Sequence, residues 1–184
     1  MSTEKNRIEA NRWLHTADDD LDSAIILKEN RKFAHSCFHA QQAAEKALKA
    51  VWYHSDADPW GHSIKRLIDD LESVDLGLFE IFKNFSRQGT ILDRFYIPTR
   101  YPNGLPDITP DIAFNEEDAD TCIEHAGIII GAVHNLFRNN HRMPEQSDRS
   151  PGTGDRQNER PPKEHINGTD GDEAPAPPHG KPEK

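Results

Sequence analysis

Apolar residues recur at spacings of three and four over several long stretches of this chain, which is the period of one face of an α-helix. The clearest stretch is 7–30, which contains neither glycine nor proline. Similar patterns cover 32–54, 78–96 and the segment after Asn115, a favourable cap residue that precedes three acidic residues. A shorter pattern follows Ser63, which is also a cap residue. The spacing therefore predicts four long helices and one short helix.

No stretch of useful length alternates between polar and apolar residues, and most of the expected connections are short. These features predict an all-α protein, an up-and-down antiparallel bundle. Gly89 is an expected weak point of the fourth helix, while Gly127 and Gly131 are expected to let a neighbour approach the last helix closely. The connection before the last helix is longer and rules out regular helix through its prolines, which are Pro98, Pro102, Pro106 and Pro110.

The composition changes at Arg142. The last 43 residues hold 8 of the 13 prolines and 5 of the 11 glycines, and almost no large apolar side chain. Such a segment buries too little surface to offset the entropy of ordering it. We therefore expect one helical domain over 1–141 and a disordered tail over 142–184.

Charge, cysteine content and the lack of long apolar runs limit the partners and the cellular compartment that we expect for this protein. A net charge of −10 argues against a protein held on nucleic acid by phosphate neutralisation, so contact with RNA would need a local basic patch. Cys37 and Cys122 both fall in predicted helices, which indicates no disulfide framework. No apolar run is long enough to cross a membrane, and the first residues lack the apolar core of a signal peptide. By elimination we expect a cytoplasmic protein.

The second predicted helix has two distinct sides. Its apolar arc spans about 180°, which is wider than a surface helix needs. The helix is therefore expected to be central or to face another subunit, and the arc is our argument for a homodimer. The other side is a continuous polar stripe with hydrogen-bond donors, formed by His35, His39, Gln42, Lys46, Lys49 and Tyr53.

Two sequence patterns resemble metal-binding sites, but neither is good evidence for one. The run of Asp18, Asp19, Asp20 and Asp22 lies on one helix, where neighbouring residues point in different directions, so a solvated face is expected. His35 and His39 are one turn apart, but no core helix carries the Glu-x-x-His pattern of carboxylate-bridged di-iron bundles. We predict no metal and no cofactor.

The segment 92–102 joins a helix end to a rigid loop that presents Arg100 between Tyr96 and Tyr101. A guanidinium and two phenol rings are suited to holding a phosphate and stacking on a base. Alternatively, Arg100 pairs with a helix C-terminus or an acidic side chain and so pins the loop. The sequence leaves both interpretations open.

The run from Phe38 to Ala50, followed by His62, Asp93, Tyr96 and 99–102, resembles the HEPN domain family over about residues 8–138. The resemblance implies a bundle of four or five helices that usually dimerises. It also implies a link to minimal nucleotidyltransferases encoded beside or fused to the domain. Members are associated with nucleotide binding, or with metal-independent RNA cleavage in toxin–antitoxin pairs.

The resemblance does not extend to the motif of the RNA-cleaving members, an Arg and a His separated by four to six residues. Within 1–141 the closest pairs have the wrong spacing, with three residues between Arg31 and His35. Arg160 and His165 have the right spacing but lie in the proline-rich tail, where nothing is expected to fix their geometry. Enzymatic activity is therefore disfavoured, and we assign no catalytic residue.

Our leading hypothesis is a homodimeric HEPN binding module for a nucleotide, for a minimal nucleotidyltransferase partner, or for both. The rivals are a ribonuclease toxin with a different base such as His39, and a purely structural interaction dimer. In the leading hypothesis phosphates contact Lys46, Lys49 and Arg100. The remaining candidate ligand-binding residues are His39, Gln42, His62, Tyr96 and Tyr101.

Overall fold

Three long helices form the frame of this protein, and shorter helices connect two of them. The structure, a computed structural model, describes residues 2–140 and the side chains of residues 4–139. The helices are α1 (Ser2–Glu29), α2 (Phe33–His54), α3 (Ile64–Asp69), α4 (Leu76–Phe82), α5 (Ser86–Asp93), α6 (Pro110–Ala113) and α7 (Glu116–Asn140). No strand occurs within residues 2–140, so the predicted all-helical fold is confirmed. The predicted tail over 142–184 lies outside the described residues.

Two helices begin at the cap residues that the sequence indicates. Asn115 Oδ1 accepts a hydrogen bond from the Asp118 amide at 3.2 Å, and the Asp118 carboxylate accepts one from the Asn115 amide at 3.0 Å. This reciprocal arrangement satisfies two amides at the start of α7. Ser63 Oγ accepts from the Arg66 amide at 3.1 Å and so caps α3. Both predicted helix starts are confirmed.

Helix α2 lies at the centre of the bundle. Its wide apolar arc is lined by fully buried alanines, which let α1 and α7 pack closely along its length. The remaining part of the arc faces α3 and α5. Because elements of the same chain cover the arc, its width no longer argues for a dimer. The buried alanines are Ala40, Ala43, Ala44, Ala47 and Ala50.

The predicted fourth helix is two helices. A 3₁₀ turn over Lys83–Phe85 separates α4 from α5, and α5 gives way to turns over 94–100. A 3₁₀ turn also places residues i and i+3 on one face, so the apolar spacing continues through the break and the sequence does not reveal it.

The structure contradicts the role predicted for Gly127 and Gly131, and it gives Gly89 a packing role that the sequence did not indicate. Gly89 is buried where α5 meets α3, and a Cβ there would lie 2.9 Å from Ile64 Cγ2 and 3.1 Å from the Lys65 amide nitrogen. The missing side chain therefore allows a close approach of α5 to α3. No atom of the described residues lies within 4 Å of a Cβ built on Gly127 or Gly131, so none of the described elements approaches α7 closely there.

The two cysteines lie in the core. Cys37 of α2 and Cys122 of α7 are fully buried and not joined in a disulfide. A hydrogen bond with Cys37 and burial both raise the pKa of the Cys122 thiol. Both residues therefore act as small apolar groups in the core. Among the described helices, none has the length and apolar character needed to span a membrane.

Candidate functional site

A buried carboxylate on α2 organises the polar residues around it. Glu45 is 3% exposed and accepts hydrogen bonds from four side chains. Its Oε1 lies 2.8 Å from Lys49 Nζ and 3.0 Å from His62 Nδ1. Its Oε2 lies 3.3 Å from Gln41 Nε2 and 3.2 Å from Gln42 Nε2. All the lone-pair positions of the carboxylate are used, which is how a buried charge is tolerated.

A second carboxylate, on α1, binds two other residues of the polar stripe. Asp20 pairs with Lys46 Nζ and lies 3.3 Å from His39 Nδ1. Burial acts to raise the pKa of Asp20, but the hydrogen bonds and charges of His39 and Lys46 outweigh it and hold the pKa below its usual value. The expectation that the whole acidic run is a solvated face is therefore wrong for Asp20, whose side chain is 14% exposed.

Asp18, in the same acidic run, also contacts a side chain of another helix. Its carboxylate lies 2.8 Å from His134 Nε2 and connects α1 to α7. Asp19 and Asp22 are exposed, as the sequence indicates for the run as a whole. The prediction failed at Asp20 because the packing of α1 against α2 turns this side chain toward its partners, while the Asp18 side chain stays 39% exposed beside His134.

The position of His62 is fixed by contacts from two other helices. Asp93, the last residue of α5, accepts hydrogen bonds from Ser63 Oγ at 2.6 Å and from the amides of Ile64 at 2.7 Å and Lys65 at 3.2 Å. Amides at the start of a helix have no acceptor within the helix itself, and Asp93 supplies one for these two amides of α3. Gln41 Nε2 also donates to the carbonyl of His62 at 3.2 Å. The loop before α3 is therefore attached to both α5 and α2.

Arg100 lies among three aromatic rings. Its Cζ atom is 4.4 Å from the ring centroid of Tyr96, 4.7 Å from that of Phe38 and 5.0 Å from that of Tyr101. The Tyr96 ring also stacks on His62, with centroids 5.0 Å apart and an interplanar angle of 18°. Each cation–ring contact stabilises a structure by about 0.5–2 kcal/mol, depending on burial. We call these residues the Arg100 stack.

The contacts of Arg100 bear on both interpretations, as a pin for the loop and as a group that holds a phosphate. Its Nε donates to the Tyr96 carbonyl at 3.0 Å, just beyond the end of α5, so the side chain helps to hold the loop. Within residues 4–139, however, no carboxylate pairs with the guanidinium, and its terminal nitrogens have no hydrogen-bond partner. The aromatic rings position a cation whose outer donors stay available.

The predicted binding residues fall into two groups. Gln42, Lys49 and His62 meet at Glu45, and His62 continues into the Arg100 stack through its contact with Tyr96. Tyr101 completes that stack. His39 and Lys46 lie apart from it, at Asp20. The structure therefore brings six of the eight predicted residues into one connected network.

The sequence reasoning missed the residues that hold this network together. Glu45 was given no role and Asp20 was expected to be solvated, although Glu45 precedes Lys49 by four residues, a spacing at which opposite charges pair on a helix. Lys49 and Lys46 are 12% and 24% exposed at their side chains, and both are paired with carboxylates. Their positive charges are therefore compensated within the fold.

The family model described as HEPN domain matches residues 10–136. The chain belongs to the HEPN family. All residues of the Arg100 stack and of both carboxylate groups lie within the matched HEPN segment. The resemblance over about residues 8–138 is thus confirmed, while the association with a nucleotidyltransferase stays a prediction.

Solved structures of other proteins support the assignment of this HEPN domain. TT1696 of Thermus thermophilus is 34% identical, with a TM-score of 0.62, and the match covers 68% of this chain and 96% of that one. The archaeal HEPN homologue ST0689 is 30% identical, with a TM-score of 0.57 and coverages of 69% and 96%. An HEPN domain protein of Thermotoga maritima is 29% identical, with a TM-score of 0.53 and coverages of 69% and 98%. The comparison with curated proteins found no match.

Proposed function

We propose that this HEPN domain is a nucleotide-binding module whose phosphate-binding group is Arg100. The observation that carries the proposal is the guanidinium held over three aromatic rings, without a carboxylate partner among the described residues. A positioned guanidinium with free N–H groups is well suited to phosphate oxygens, which it binds with two parallel hydrogen bonds. By contrast, Lys46 and Lys49 of the polar stripe are both paired with carboxylates.

The neighbouring rings supply surfaces for a base or a sugar. Tyr101 is 48% exposed, and the side chain of His62 is 59% exposed at the other end of the stack. Stacking of a base on an aromatic side chain contributes about 1–3 kcal/mol. The α2 residues have a supporting role in this proposal, because Glu45 and Asp20 already bind their polar groups.

Titration calorimetry with ATP and GTP, together with thermal melting, tests the proposal on purified protein. Arg100→Ala is expected to weaken nucleotide binding about tenfold or more, since it removes charge-assisted hydrogen bonds. Arg87→Ala is the matched control, because Arg87 is exposed on α5 and lies outside the stack. No nucleotide binding by the wild type, or equal affinities of both variants, would refute the proposal.

We also propose that the domain acts as a homodimer and that its protein partner is a minimal nucleotidyltransferase, as in toxin–antitoxin pairs. Since the chain itself covers the α2 arc, the dimer would use another surface. Exposed Ile8 and Ile26 offer one, because eighteen residues are five full turns and place both side chains on one face of α1. Sedimentation of the wild type and of Ile26→Asp tests this surface, and a monomeric wild type would exclude a dimer.

Copurification tests the partner separately. A minimal nucleotidyltransferase from the same genome, co-expressed with the tagged HEPN domain, is expected to elute with it on size exclusion. Separate elution of the two proteins at micromolar concentration would argue against a stable complex.

A further inference from the structure

A cavity of about 320 Å³ opens beside His62, between the loop that follows α2 and the first turns of α3. Its lining includes Asp58, Trp60, His62 and Arg66. The volume is within the usual range of ligand pockets, about 300–1,000 Å³. Because His62 also stacks on Tyr96, this cavity and the Arg100 stack share one residue and form adjoining sites.

Trp60 is the most exposed large apolar side chain of the described residues. It is 91% exposed and stands in a turn that depends on Gly61, whose φ is +93°. Tryptophan is usually well buried, so an almost fully exposed ring at the mouth of a cavity indicates a contact with something outside the chain. A flat ring in that position is a stacking surface for another planar ring.

The polar groups of the cavity distinguish among planar ligands. Asp58 receives no hydrogen bond or ion pair from the residues that the structure describes, so both of its oxygens can accept from a ligand. The Arg66 side chain is 78% exposed and is 3.5 Å from the Asp70 carboxylate, which leaves most of its donors free. The cavity therefore offers a bidentate acceptor and a bidentate donor beside an aromatic ring.

We propose that this cavity binds guanine, the base of a guanine nucleotide whose phosphates contact Arg100. This inference rests on the proposed nucleotide-binding function. In it the base stacks on Trp60, Asp58 accepts hydrogen bonds from N1–H and the 2-amino group, and Arg66 donates to O6 and N7. His62 lies between the base and the phosphates.

Guanine is the base that fits both groups. Its pairing edge places two donors side by side, which a carboxylate can accept together, and its O6 and N7 form the acceptor pair that arginine binds most often. Adenine presents one amino group beside the lone pair of N1, which a carboxylate repels. Cytosine likewise presents an amino group beside the lone pair of a ring nitrogen, and uracil presents a single N–H between two carbonyls. Neither base offers two adjacent donors to a carboxylate. A site built around donors rejects bases that lack them.

Calorimetric titration with GTP, ITP and ATP tests the assignment, since these nucleotides carry the same phosphates. ITP lacks only the 2-amino group. The wild type is expected to bind GTP at least tenfold more tightly than ATP, with ITP in between. Asp58→Asn is expected to weaken GTP binding about tenfold and to leave ATP binding unchanged. Trp60→Ala is expected to weaken the binding of all three nucleotides.

Asp69→Asn is the matched control, because Asp69 is exposed on α3 and does not line the cavity. Melting temperatures verify that each variant is folded. Equal affinities of the wild type for GTP and ATP would overturn the guanine assignment while the nucleotide-binding proposal stands. A preference for GTP that survives Asp58→Asn would also overturn it. If no nucleotide binds at all, the proposed function itself fails.

Discussion

The Lys49 ammonium nitrogen lies 2.8 Å from the carboxylate of Glu45, and only 12% and 4% of the two side chains are exposed. Charges that are this well shielded from water interact much more strongly than surface pairs. They also depend on each other, because a buried charge without its partner is costly. Lys49 therefore acts mainly as the counter-ion of Glu45 inside the fold.

Removal of the lysine charge is expected to destabilise the protein. Lys49→Met should lower the free energy of unfolding by about 3 kcal/mol, because it leaves the Glu45 carboxylate with a weaker set of partners. Adding Glu45→Gln to this variant should restore most of the loss, since the amide is neutral. Urea unfolding measures both. A double variant less stable than Lys49→Met would contradict this account.

Two glycine substitutions of the same kind are expected to have opposite effects. Gly89→Ala should cost about 1–3 kcal/mol, because the new methyl group would lie 2.9 Å from Ile64 Cγ2 and 3.1 Å from a backbone nitrogen. Gly131→Ala should stabilise α7 by about 0.5–1 kcal/mol, because nothing lies within 4 Å of the new atom. Melting temperatures of the two variants should shift in opposite directions, and a shift of equal sign would count against the packing described.

The stabilising effect of Asp20 is expected to depend on pH. Since its pKa in the folded protein is lowered, Asp20 stabilises the fold above its unfolded pKa of about 4. That stabilisation is lost as the pH falls through the lower folded value. The difference in unfolding free energy between wild type and Asp20→Asn should therefore be largest near neutral pH and should shrink below about pH 4. Asp19→Asn, at an exposed position, controls for the loss of one charge.

The link from Asp93 to α3 is expected to affect both stability and ligand binding. Asp93→Ala leaves the amides of Ile64 and Lys65 without their acceptor and should lower the free energy of unfolding by about 1–3 kcal/mol. It should also weaken nucleotide binding, because His62 directly precedes this helix start. Asp69→Asn disrupts only an exposed pair with Lys65 and should change stability by less than about 1 kcal/mol. Similar losses for the two variants would argue against a special role of Asp93.

Much of the fold follows from local signals in the sequence. The second helix was predicted over 32–54 and is observed over Phe33–His54, because periodicity and breakers act within a few residues. The start of α7 after Asn115 follows from capping chemistry. The division of the fourth helix was missed because a 3₁₀ turn preserves the apolar spacing.

The site was less accessible to sequence reasoning. Arg100, Tyr96 and His62 were identified as binding residues, and they do lie together. The pairing of Lys49 with Glu45 was missed although its spacing of four residues on one helix is a local signal. The pairing of Lys46 was missed because it depends on how α1 packs against α2. Asp20 and Lys46 are 26 residues apart in sequence, and no local pattern specifies such a pair.

The compensated lysines have a consequence for the response to ionic strength. A protein that coats RNA with many free cations releases many counterions on binding, so its affinity falls steeply with added salt. In the described part of this chain, Lys46 and Lys49 are paired with carboxylates and bring no net charge to the surface. Within the Arg100 stack, the guanidinium of Arg100 is therefore the main group that attracts an anion. Recognition that depends on ring stacking and on one oriented cation is expected to persist in salt concentrations that dissociate non-specific complexes with nucleic acid.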